Sequence, residues 1–134
     1  MTILAFARST SGFYFGELLA GLTREVARAG GRVVVVQTLD PGDVADAVVS
    51  TPGFDLPVAW DRVDGAVAVS LAAGGAHLQA LRDHGVPVVL ASSRVEGFEA
   101  PLALPDNHGG TSAAVDHLVA HGHRRIGFVG NLGQ

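Results

Sequence analysis

Cysteine is absent from this chain, so neither a disulfide framework nor a thiolate-held zinc can organise it. A reducing compartment, by default the cytoplasm, is the expected setting. Charge is sparse as well. Only 16% of residues are charged, the formal net charge is −4, and no basic cluster exceeds Arg124-Arg125, which argues against a nucleic-acid surface in this segment. Long apolar runs are missing. The run from Thr2 to Ala7 has no basic region before it and no cleavage site after it, so neither a signal peptide nor a membrane-spanning helix is expected. The sequence also lacks a nucleophile elbow, an HExxH pattern and any carboxylate pair whose spacing commits it to acid/base work. No catalytic residue is assigned, and neither an enzyme nor a cofactor is expected.

What is present is apolar and well punctuated. With 48% hydrophobic residues, 134 residues can bury a core as one domain or one lobe of a larger one. The 18 glycines fall singly or in pairs at expected element ends, where they mark short loops. Thr2 to Ala7 is apolar enough for a central parallel strand, and a helix from about Phe15 to Ala29 would bury Leu18, Leu19, Leu22, Val26 and Ala29 before Gly30-Gly31 stops it. Arg32 to Gln37 carries four consecutive valines, which suit a sheet covered on both faces. Pro41 and Asp43 open a shorter helix through Val49, and Ser50 to Arg62, with two prolines, a glycine and the only tryptophan, reads as an irregular loop. Then come a strand at Gly65 to Val69, a helix at Gly74 to His84, a strand at Pro87 to Leu90, a polar loop from Ser92 to Ala100 and a short extended run at Leu102 to Leu104. Strands alternating with helices across short connections imply an α/β, doubly wound parallel sheet with right-handed crossovers.

The stretch from Asp106 to Asn131 closes the pattern. Gly109 and Gly110 allow a tight turn, Thr111 or Ser112 can cap a helix, and Ala113, Ala114, Val115, Leu118 and Val119 lay an apolar stripe beside outward Asp116, His117 and His121. Gly122 ends that helix. Ile126 to Val129 is then expected to complete the sheet as a buried strand.

In such sheets ligands bind outside the carboxyl ends of the strands, which puts Arg8, Ser9 and the aromatic cluster Phe13-Tyr14-Phe15 where a ligand would sit. Tyr14 and Phe15 could stack on a sugar or base ring; the alternative is that one of them packs inward as helix-start core. His117 and His121, spaced i, i+4, with His108 and His123 nearby, raise the question of zinc. A solvated helix face is the better account, since zinc needs a third ligand and an ordered surround. Gly127, Gly130 and Gly133 have the wrong spacing for a dinucleotide loop.

Asp106-Asn107, the glycine pair and the segment ending HLVAHGHRRIGFVG resemble the signature of the effector-binding domain of LacI/GalR-type bacterial transcription regulators. So do Tyr14 to Leu19 with Gly21, Val63-Asp64-Gly65 before an apolar strand, and Gly85 to Val89 after a helix, so the resemblance spans nearly the whole chain. It implies a Rossmann-like, periplasmic-binding-protein-like fold in which two lobes close on an effector. Residues 1-134 would be the N-terminal lobe, without the second lobe and the DNA-binding headpiece. By the same resemblance, Arg8, Ser70, Ser93, Arg94, Asp106 and Asn107 would line the wall with Tyr14 and Phe15, while Asp106 could equally cap the following helix. Many family members carry an acidic residue after the fourth strand. This chain has Ser92-Ser93 there, which departs from the usual hydroxyl contact.

The implied function is sensing of a small effector, sugar-like or nucleoside, by a regulator that dimerises partly through this lobe and meets DNA only through its headpiece. An alternative keeps the fold and places it ahead of another output, such as a diguanylate cyclase domain. A third is a flavodoxin-like enzyme or nucleotide-binding domain.

Overall fold

The structure, a computed structural model, describes residues 1-38, 62-70 and 72-130. The helix expected from Pro41 to Val49 and almost all of the loop from Ser50 to Arg62 lie outside the described residues. Two compact units are present, Met1–Leu104 and Pro105–Gln134.

The first unit is a parallel sheet with helices on both faces. Its elements are β1 (Thr2–Ala7), α1 (Phe13–Arg28), β2 (Arg32–Gln37), β3 (Gly65–Val69), α2 (Gly75–Asp83), β4 (Val88–Ala91) and β5 (Leu102–Ala103). The strand order is β2-β1-β3-β4-β5, and every pairing is parallel. Side chains alternate faces along each strand, and two cores follow from that period of two. Leu4 and Phe6 of β1 join Ala66, Ala68, Val88 and Leu90 on the face that takes Leu78 and Leu81 of α2. Ala5, Ala7 and Val69 form the other face, which takes Leu19 of α1 with Leu18, Leu22 and Phe15 packed against it.

Helix ends follow local chemistry. The α2 helix stops where Gly85 takes φ 79, and Val86 N–H donates back to the Leu81 carbonyl at 3.0 Å, the six-to-one bond of a left-handed cap. The α1 helix closes with the same bond, Gly31 to Val26, at 2.8 Å. Its start is less ordinary: Gly12 has φ 84 and ψ 159, a region open almost only to glycine, and no side chain caps the helix. Gly12→Ala should therefore destabilise the chain by about 1–3 kcal/mol, read as a lower urea midpoint at constant slope. A midpoint equal to wild type would show that the turn before α1 relaxes without cost.

Two expectations about the sheet need correction. The valines of β2 do not lie in a sheet covered on both faces. β2 is an edge strand, and Val34 and Val35, which alternate between the two faces, remain 45% and 37% exposed. A run of β-branched residues reports strand propensity and does not distinguish centre from edge.

The second unit contains α3 (Asn107–Ala120). It starts earlier than expected, because Asp106 rather than Thr111 or Ser112 is the cap: its Oδ1 accepts the Gly109 N–H at 2.8 Å. Gly109 and Gly110 are helical instead of forming a turn. No α3 residue is buried. Ile126 to Val129 forms no strand, and Phe128 and Val129 are 82% and 100% exposed. A short apolar run becomes a parallel strand only where a neighbouring strand satisfies its ladder, which the run's own composition does not encode.

Candidate ligand-binding site

Backbone hydrogen bonds carry the sheet one residue past its strand ends and fix the order of the loops there. Thr38 N–H donates to Ala7 O at 2.9 Å, Ser70 N–H to Ala91 O at 2.8 Å and Ser92 N–H to Ala103 O at 2.8 Å. Thr38, Arg8, Ser70 and Ser92 thus follow one another along the carboxyl edge, as β2-β1-β3-β4 do in the sheet.

Two of these residues hold left-handed backbone without being glycine, Ser70 at φ 50 and Ser92 at φ 76. Each such residue costs of order 1 kcal/mol and persists only where its surroundings enforce it, which is a common property of binding edges. At Ser92 the enforcing contact is visible. The Tyr14 hydroxyl donates to Ser92 Oγ in a hydrogen bond that joins the first turn of α1 to the end of β4. Since β3 lies between β1 and β4, this contact bridges the carboxyl end of β3, where Ser70 sits.

The aromatic pair divides its work. Phe15 packs against the core of Ala5, Ala7, Leu19 and Val69, whereas Tyr14 stays 48% exposed. Their rings meet edge to face at 5.3 Å and 84°. Of the two readings of the pair, Phe15 takes the inward one, and Tyr14 offers a ring face at the edge. Phe13, at the helix start, is also exposed.

Polar side chains fill the rest of the edge. Ser9 and Ser11 hydroxyls lie 3.1 Å apart, and Thr10 Oγ1 donates to Gln37 Oε1 at 3.0 Å, tying the loop after β1 to the end of β2. Arg8 is half-buried and Arg94 exposed. Ser93 Oγ is shielded from solvent and meets no hydrogen-bond partner among the described residues, and the same holds for Oγ1 of Thr38, a residue only 5% exposed. Neither presents its hydroxyl to solvent in this conformation. Thr38 escaped the sequence reading, although it is the first residue past the valine-rich strand and so stands at a strand end. Ser92 escaped too, because sequence cannot tell which of two adjacent serines turns toward Tyr14. Asp106 and Asn107 belong to the second unit, where the Asp106 carboxylate is engaged as the α3 cap.

Elsewhere the chemistry is thin. The His117 and His121 rings lie 4.2 Å apart, and His121 Nδ1 is 2.8 Å from the His117 carbonyl, a contact within one helix face. Among the described residues no group of three or more His, Cys, Asp or Glu converges as metal ligands. A shallow concavity of about 280 Å³ lies at the opposite, amino edge of β4 and β5, lined mostly by apolar atoms of Pro87, Val88, Val89 and Pro101. Arg82 beside it is already engaged, its guanidinium 4.1 Å over the Phe98 ring and bonded to the Glu99 carbonyl at 2.9 Å. Position and chemistry both favour the carboxyl edge as the site.

The family model for periplasmic binding proteins and the sugar-binding domain of the LacI family matches residues 1–132. The chain belongs to this LacI-type sugar-binding family. Relatives include the HTH-type transcriptional regulator IpsA of Corynebacterium glutamicum, 34% identical over 113 residues, 84% of this chain and 30% of that protein. The maltose regulon regulatory protein MalI of Escherichia coli is 30% identical over 124 residues, 92% of this chain and 34% of its own. The HTH-type transcriptional regulator MalR of Streptomyces coelicolor is 30% identical over 110 residues, 82% and 32% respectively. The chain therefore spans about a third of the length of these relatives. A crystal structure of the transcription regulator GntR from Chromobacterium violaceum superposes with a TM-score of 0.66 at 22% identity, covering 97% of this chain and 45% of that one, and shows the shared fold. The relatives are named as transcription regulators, not as enzymes. No helix among the described residues is long and apolar enough to cross a membrane.

Proposed function

We propose that this LacI-type domain is the ligand-sensing lobe of a cytoplasmic transcription regulator, and that a small sugar-like effector binds along the carboxyl edge of its sheet. The observation that carries the reading is the Tyr14 ring, half-exposed and tethered by its hydroxyl at that edge. A pyranose has one face of C–H groups and a rim of hydroxyls. An aromatic face suits the first, and the side chains of Arg8, Ser70 and Arg94 suit the second, while Ser93 keeps its hydroxyl shielded. One relative, MalI, is named for a maltose regulon, which supports the ligand class, and the relatives named as transcription regulators favour transcription over the diguanylate cyclase alternative as output. No catalytic role and no cofactor is assigned.

Binding signals only through a difference in affinity between two states, so the output requires the parent's second lobe to close on the effector and its headpiece to read the change at DNA. Calorimetric titration of the full-length protein with maltose, glucose and adenosine tests the ligand class. Tightest binding of adenosine, or no binding of any of the three, would remove the sugar-sensing reading.

The parent is a homodimer formed partly through this lobe, and the edge position of β2 with Val34 and Val35 exposed supports that assignment. Val34→Lys buries an unpaired charge in such an interface and should weaken dimerisation on the order of 100-fold. Sedimentation velocity of the full-length protein reads this directly. A variant that stays dimeric at the same concentrations would move the interface elsewhere.

A further inference from the structure

We propose that Ser92 is a positioning residue of the site: by accepting the Tyr14 hydroxyl it fixes the ring that receives the ligand. The proposal rests on the sugar-sensing reading above and adds to it a residue that touches no ligand itself. Ser92 carries the cost of a left-handed backbone at φ 76, where glycine or asparagine would be easier, and its N–H remains in the sheet ladder with Ala103. That backbone turns the Ser92 side chain toward a residue 78 positions earlier in the chain. Tyr14 is half-exposed at a helix start, and its hydroxyl bond to Ser92, with the edge contact from Phe15, is what limits its rotamers. A ring held in one rotamer loses less entropy on stacking than a ring free to turn, so the tether raises affinity through preorganisation. The neighbouring hydroxyl of Ser93 does not do this: its Oγ is shielded from solvent and meets no hydrogen-bond partner among the described residues.

In the full-length protein labelled with carbon-13 at tyrosine Cζ, Tyr14→Phe identifies the Tyr14 resonance by its loss, and Ser92→Ala should move that resonance toward the position of a solvated phenol. Titration of the full-length protein with maltose should show Ser92→Ala, Ser92→Gly and Tyr14→Phe each binding about 3- to 10-fold more weakly, the range of one hydrogen bond between neutral groups. The double variant Tyr14→Phe/Ser92→Ala should bind no more weakly than either single variant, since both remove the same contact. Ser92→Gly separates positioning from structure. It relieves the backbone strain, so a purely structural role predicts unchanged or tighter binding, whereas a positioning role predicts weaker binding from a lobe at least as stable. Unchanged affinity in all three single variants, with a loss in Tyr14→Ala, would overturn the proposal and leave the site reading standing. Unchanged affinity in Tyr14→Ala as well, or absence of maltose binding by wild type, would take down both.

Discussion

Tyr14→Ala should weaken sugar binding by the full-length protein about tenfold or more while leaving the stability of the lobe nearly unchanged, and Phe15→Ala should do the reverse. The two aromatics are adjacent in sequence and part of one motif, yet they have different surroundings. Tyr14 is half-exposed, so its removal leaves no cavity, and its ring face, worth on the order of 1 kcal/mol beyond buried area, is lost to the ligand. Its hydroxyl contact to Ser92 and the apolar area covered on stacking go with it, which together set the tenfold scale. Phe15, partly buried, packs against Ala5, Ala7, Leu19 and Val69, and the two strand alanines cannot expand to fill a gap. Removing that ring should cost about 3 kcal/mol of folding stability, seen as a lower urea midpoint, with affinity altered only as far as α1 shifts. Replacing both residues at once would confuse the two effects. Equal affinity losses from the two single variants, at equal stability, would show that both rings touch ligand and that the inward packing of Phe15 does not govern its role.

Much of the first unit was legible in the sequence because its signals are local. The short apolar run of Thr2 to Ala7, the leucine spacing of α1, Leu78 and Leu81 in α2, and the glycines after each helix place every described strand and helix of that unit within a few residues. The crevice rule then pointed to the edge where Arg8 and Tyr14 stand, since loop positions follow once a parallel sheet is assumed, while Ser70 enters only through the family resemblance. Edge against centre was not legible for β2. That property belongs to the neighbours a strand has, and four valines read the same in either place. For α3, Gly109 and Gly110 argue locally for a turn and a start at Thr111 or Ser112, whereas the alternative that Asp106 caps the helix is the one the Asp106 carboxylate and Gly109 N–H display.

The finer make-up of the site was hidden for two reasons. The division between Tyr14 and Phe15 depends on how α1 is rotated over the sheet, and both residues satisfy the same motif. The choice of Ser92 over Ser93 depends on a backbone angle, φ 76, that no residue-type preference would assign to a serine. Functional edges often break local rules in this way, at a cost borne by the rest of the fold. The resemblance to LacI-type regulators supplied the expected wall, but a family motif marks positions and does not say which side chain holds another in place.

Phe6→Ala should be the most destabilising single truncation in the first unit, at about 3–5 kcal/mol. Phe6 is 1% exposed, is among the largest fully buried side chains and sits mid-sheet on the face that takes α2, packed with Leu78, Leu81 and Leu90. β1 pairs on both sides, with β2 and with β3, so the backbone around residue 6 cannot move inward to close the gap without straining two ladders. Partial relaxation is what usually lowers the cost of a cavity, and a doubly paired strand prevents it. Against a total stability of about 5–15 kcal/mol for a domain of this kind, such a loss brings the chain close to unfolding and should lower the melting temperature by on the order of 10 °C. Leu102→Ala offers the internal control. That residue packs on the same face but in the edge strand β5 and is only partly buried, so it should cost about half as much or less. Melting temperatures lowered equally by Phe6→Ala and Leu102→Ala would mean that the centre of the α2 face is not the principal core.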